Sequence, residues 1–120
     1  MKYSEGWYYV ISVTELPCLR YTNYIYRTKD FKEWQVGYYN PILMPSPEDL
    51  VMAPNAADIT PEFYEAIQKH FDSNNSDIDM CDYNGQVYIN YEVGDQLGFG
   101  YMAEAVAEGT VADFLKSYFE

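Results

Sequence analysis

Asp77-Ile78-Asp79-Met80-Cys81-Asp82-Tyr83-Asn84-Gly85-Gln86-Val87-Tyr88-Ile89-Asn90-Tyr91 is the stretch that decides the fold class. Asn-Gly is the strongest short hairpin signal, because both turn residues must take positive φ and these two types do so at least cost. On its N-terminal side Ile78 and Met80 alternate with Asp77, Asp79 and Asp82; on the other side a β-branched and aromatic run returns. Alternation with period two on both arms marks antiparallel strands with one buried face. A third strand follows from Phe99 to Val106, after the loop Gly94-Asp95-Gln96-Leu97-Gly98. The last segment, Val111 to Phe119, reads either as a short helix or as a turn leading to an edge strand.

Working outward, residues 1–39 read the same way. Trp7-Tyr8-Tyr9-Val10-Ile11-Ser12-Val13 is one strand, a loop from Glu15 to Arg20 interrupts it, and Tyr21 to Arg27 is the next. Thr28 and Asp30 begin a turn, and a short outer strand starts at Trp34. Between the two β-rich parts, residues 40–76 form an irregular connection punctuated by proline. It holds one helix signal, over about 61–71: Thr60 as N-cap, Pro61 at the first position, Glu62 and Glu65 near the start, Lys69 and His70 at the end. Phe63, Ile67 and Phe71 make its apolar stripe. His70 is expected at the surface. The expectation is a single mainly-β domain over 1–120, with one inserted short helix.

Fourteen Tyr and two Trp in 120 residues suit a pleated sheet, and such rings also stack on sugar C–H faces. The formal charge is −12 and there are only seven basic residues, which argues against nucleic acid. A neutral partner such as carbohydrate fits this balance. The chain shows neither a hydrophobic signal region nor an apolar run of ~20 residues, so no membrane span is expected and the chain as given reads as cytoplasmic. A missing N-terminal part would allow secretion or a periplasmic location. Cys18 and Cys81 lie far apart, with Cys81 expected as a buried thiol. Nothing calls for a metal or a cofactor.

Parts one and three superpose loosely. Gly6-Trp7-Tyr8-Tyr9-Val10 matches Gly85-Gln86-Val87-Tyr88-Ile89, and Asp30-Phe31 matches Asp113-Phe114, at Gly-to-Asp distances of 24 and 28 residues. Strand, loop, strand and aromatic turn, written twice, is the plan of propeller blades. Gly6-Trp7-Tyr8-Tyr9 followed by Arg27-Thr28-Lys29-Asp30-Phe31 and Trp34 resembles the blade signature of five-bladed β-propeller glycoside hydrolases. The run from Asn74 to Gly85, with Gly94-Asp95-Gln96, Ala103-Glu104-Ala105 and Gly109-Thr110, resembles the last blade of a bacterial branch of that superfamily. The resemblance implies antiparallel, blade-like sheets: an incomplete blade at 1–39, a connection at 40–76 and a second blade at 77–120. It implies the C-terminal part of a longer propeller, without the earlier blades that carry the family's catalytic carboxylates. Residues 1–5 leave no room for an innermost strand of the first blade.

Blade topology collects the start of the 77–91 hairpin and the loops Glu15–Tyr21 and Gly94–Gly98 on one face. Candidate sugar-binding residues there are Asn75, Asp77, Asp79, Arg20, Asp95 and Gln96. Glycoside hydrolysis needs two carboxyl groups about 5–10 Å apart. Asp77 and Asp79, about 7 Å apart on one strand face, are weak catalytic candidates, as is Glu15. An Asp-x-Asp pair also serves as a strand-entry cap or cation site, and Glu15 with Arg20 also makes a salt-bridged loop. Trp7 and Trp34 are expected as core and blade anchors. The functions these features imply are a propeller piece that binds or hydrolyses carbohydrate once assembled, a non-catalytic carbohydrate-binding or assembly module, or an inactive remnant of a longer gene. Unpacked blade faces imply a homo-oligomer.

Overall fold

The computed structural model describes every residue except Leu19, Asn55, Ala57 and Phe71. The chain is mainly β. Its strands are β1 (Lys2–Ser4), β2 (Trp7–Leu16), β3 (Arg20–Thr28), β4 (Trp34–Val36), β5 (Asn74–Tyr83), β6 (Gln86–Gly94) and β7 (Gly100–Glu108). Two helices accompany them, α1 (Pro61–Lys69) and α2 (Val111–Ser117), with a 3-10 turn at Pro47–Leu50. The order across the sheet is β1-β2-β3-β5-β6-β7, with β4 on β3.

Two antiparallel meanders make up this sheet. Each opens on a turn of two positive-φ residues: Glu5-Gly6 (50° and 82°) before β2, and Asn84-Gly85 (50° and 77°) between β5 and β6. That twist matches the strands on either side, which explains why the matching Gly6 and Gly85 segments fold alike. Residues 1–5, expected to hold no strand, pair Lys2 to Ser4 against Tyr9 to Trp7.

The meanders meet at a single parallel register pair, Tyr21 with Asn74. Farther along the same edge of β3, β4 takes over at Tyr26 to Thr28, so β5 diverges from β3. α2 lies against both diverging halves. Its Val111, Leu115 and the following Phe119 are buried with Tyr9 and Ile25 of the first meander and Met80, Val87 and Ile89 of the second. Phe119 meets Tyr9 edge-on at 5.8 Å, and the Arg27 guanidinium lies over both Trp7 and Phe119. The Val111 N–H donates to Asp82, and Lys116 pairs with Glu5. α2 thus ties the two halves by apolar burial and by polar contacts.

α2 also resolves the open reading of the C-terminal segment. Thr110 and Asp113 form a reciprocal capping box, which starts a helix. Asp113-Phe114 is therefore helical, whereas Asp30-Phe31 lies in the β3–β4 turn, where Asp30 accepts from the Lys32 and Glu33 N–H groups. The internal match is kept at the strand starts and lost here. Other expectations also change. Glu15 belongs to β2, opposite Tyr21, because the strand runs past Val13 to Leu16. Trp34 is exposed, edge-on to Phe31, since β4 is a short outer strand paired only through β3 among the described residues. Cys81 is exposed, because it lies on the outer face of β5 opposite Tyr88, and both cysteines are free thiols. In α1 the Thr60 cap and Pro61 stand as expected and Ile67 is buried. The Phe71 end of its stripe lies outside the described residues.

Candidate functional site

The strand directions bring the end of β2, the starts of β3, β5 and β7 and the end of β6 to one end of the sheet. Backbone bonds knit that end together: Tyr21 N–H donates to Ser73 O, and Ser73 N–H to Gly94 O. Gly94 is needed there, since a Cβ would come within 2.8 Å of the Phe99 carbonyl.

Asp49 is the centre of a buried polar cluster at this end. Ser46-Pro47-Glu48-Asp49 winds a 3-10 turn with a capping box, and the Asp49 carboxylate accepts from Ser46 N–H at 2.8 Å. It also accepts from the Tyr91 hydroxyl at 2.6 Å and from Asn75 Nδ2 at 3.3 Å, while Tyr101 donates to the Asp49 carbonyl at 3.0 Å. Asp49 is 8 % exposed. A carboxylate so far from water persists only with several donors around it.

Asp72 faces the same cluster. Its Oδ1 accepts from Asn74 N–H at 3.3 Å, and its Oδ2 is buried without a donor while both carboxyls are ionised. Burial drives its pKa up; the Asn74 N–H opposes this and the Asp49 charge reinforces it, leaving it at about 6. Once protonated, Asp72 can donate that proton to the neighbouring Asp49. Burial and the bond to Asp49 push the Tyr91 hydroxyl upward, and burial with the two acid charges takes Tyr101 to about 12. Both phenols stay protonated as donors.

His70 is half-buried rather than at the surface, because the helix end turns its ring onto Phe99 and Tyr101 at 5.2 and 5.4 Å. Its Nδ1 lies 2.7 Å from Ile67 O, which fixes the proton there and leaves Nε2 as a buried acceptor without a partner. Asn75 Oδ1 and both polar atoms of Asn74 are likewise buried and unpaired, although these side chains are fully buried. Such groups call for water or ligand.

A cleft of about 510 Å³ opens beside the cluster. Met52, Ile59, Tyr64 and Ile67 give it apolar walls, while Asp49, Tyr91 and Tyr101 bring polar edges to it. A second cleft of about 280 Å³ lies on the Asp72 side, lined by Arg20, Tyr21, Met44 and Asp72.

Of the residues singled out from sequence, Asn75 enters the cluster and Arg20 lines the second cleft. The rest stand apart. Asp77 is exposed with φ of 52°, at a bulge between Ser76 and Asp79 that interrupts the alternation behind the same-face pairing. It accepts from the Ser76 hydroxyl at 3.1 Å, and its carboxyl beside Glu92 raises the pKa of that group. The exposed Asp79 accepts from the Met80 N–H and lies 4.0 Å from Lys2. Asp95 shapes the β6–β7 loop, accepting from Leu97 and Phe99 N–H groups that hold its carboxyl below the usual range. Gln96 and Glu15 are exposed, and among the described residues no ion pair links Glu15 to Arg20. The sequence reading missed Asp49, Asp72, Tyr91 and Tyr101. The Ser46-x-x-Asp49 spacing is the one local signal that could have found part of this group.

Comparison with protein families, curated proteins and solved structures finds nothing that matches this chain.

Asp72 makes stability depend on pH. Its folded pKa exceeds the ordinary 3.8, so the folded protein binds the proton more tightly than the unfolded chain. Stability from this group is present at low pH and falls as pH rises from about 4 to 6. In Asp72→Asn the amide can donate to Asp49 at every pH, as the protonated acid does. The variant should melt about 4 °C higher than the parent at pH 8 and at the same temperature at pH 4. Calorimetric melts at the two pH values check this; equal destabilisation at both would show that proton sharing is not the role of Asp72.

Proposed function

We propose that the chain is a carbohydrate-binding module, part of a glycoside-hydrolase-like propeller, that takes a neutral sugar in the cleft beside Asp49. The observation that carries this reading is the juxtaposition of an apolar, tyrosine-bearing wall with fixed hydroxyl and carboxylate groups at one cleft. Sugars present an apolar C–H face and a rim of hydroxyls, and such a cleft offers a partner for each. The charge of −12 disfavours polyanionic glycans. The blade-like sequence signature supports the same class.

Hydrolysis is the second reading, favoured by one observation: Asp72, with its pKa of about 6, can hold a proton near neutrality. Asp49 lies beside it, too close to act as the distant second carboxyl, so another blade or chain would have to supply it.

Tyr64 is 40 % exposed on the cleft wall, so replacing it should not disturb the core. A panel of neutral oligosaccharides, followed by titration calorimetry on the best ligand, should give about tenfold weaker binding for Tyr64→Ala at unchanged melting temperature. Absence of binding across the panel, or equal affinity of the variant, would remove this cleft as a sugar site.

A further inference from the structure

We infer that the free edge of β7 takes up an extended segment of a basic partner protein as an additional strand. β7 pairs with β6 through its whole length, from Gly100 opposite Gly94 to Glu108 opposite Gln86. Among the described residues, no backbone hydrogen bond reaches its other edge. Alternate residues along this nine-residue strand turn unpaired N–H and C=O groups outward and make a template for another strand. The opposite sheet edge, β1, has only three residues.

Side chains on β7 say what that strand must carry. Met102, Glu104, Val106 and Glu108 point to the exposed face, with Met102 63 % and Val106 48 % exposed. Glu92, on the neighbouring strand opposite Met102, adds a third acid to this face. An added strand with cations opposite Glu104 and Glu108 and an apolar residue opposite Val106 would answer each position.

A second copy of the chain does not answer them. β7 contains no Lys or Arg, so no register of β7 on itself sets a cation against Glu104 or Glu108. Lys2, the one cation of β1, already donates to Met80 O and lies near Asp79. The sheet-edge chemistry therefore selects a foreign, basic strand. Met102, Ala103 and Glu104 also line the cleft beside Asp49, so a strand added along all of β7 competes with a sugar in that cleft.

The probe is a fluorescein-labelled peptide of about nine residues that alternates threonine with lysine and valine, long enough to cover β7. Fluorescence anisotropy should show micromolar binding to the intact chain, at least tenfold weaker for the exposed pair Glu104→Lys/Glu108→Lys. A peptide with glutamate for lysine, and one with alternate backbone nitrogens methylated, should fail to bind. Circular dichroism melts confirm that the variant folds. No binding of the lysine peptide, or binding indifferent to charge or to backbone methylation, overturns the inference. So does a sedimentation-detected dimer that Glu104→Lys abolishes, since the occupant would then be a second copy.

Discussion

Asp49→Ala is expected to destabilise the chain by about 3 kcal/mol, a large share of what a domain this size possesses. The substitution removes the acceptor for three donors at once: the Tyr91 hydroxyl, the Asn75 amide and the Ser46 N–H. The Tyr91 and Asn75 donors stay buried, and the Ser46 N–H partly so, and they must give up water without a partner. The loss is mainly the cost of orphaned donors, so it should be partly reversible. Tyr91→Phe in the Asp49→Ala background removes the largest of the orphans and should recover about 1 kcal/mol, where additive losses would recover none. Urea unfolding of the four members of this cycle measures the coupling. A coupling near zero would mean that Asp49 acts only as the cap of its 3-10 turn.

The second large effect belongs to α2. Leu115 is 1 % exposed, in the cluster that joins Tyr9 and Ile25 to Met80 and Ile89. Leu115→Ala should cost about 3 kcal/mol, from lost burial and from a cavity bounded by two meanders that cannot both close on it. Met102→Ala, on the exposed face of β7, should cost less than about 0.5 kcal/mol. The comparison distinguishes a helix that holds the halves together from one that only decorates them. If the two variants unfold at the same urea concentration, the former role is wrong.

These two residues also mark where sequence reading stops. The Asn84-Gly85 hairpin, the β2 and β3 runs and the Thr60-Pro61 helix start were legible because each is written in neighbouring residues. Leu115 was legible only as part of an ambiguous segment; the Thr110–Asp113 capping box decided it, and that pattern is short. The Asp49 cluster draws on residues 46–49, 72–75, 91 and 101, which lie together only because β5 returns beside the start of β3 in parallel. No local periodicity announces such a pairing. Asp77 misled for a local reason: its positive φ and the bulge beside it undo the two-residue alternation that made Asp77 and Asp79 look like a pair.

The central claim is that a neutral sugar occupies the cleft beside Asp49. The most direct test is a two-dimensional amide NMR titration of the labelled chain with the best oligosaccharide from the panel. The account predicts shifts concentrated in residues 48–54, 64–67, 90–91 and 101–104, with the opposite end of the sheet silent. Shifts centred on Asp77, Asp79 and Lys2 instead, or an unchanged spectrum at saturating sugar, would contradict it.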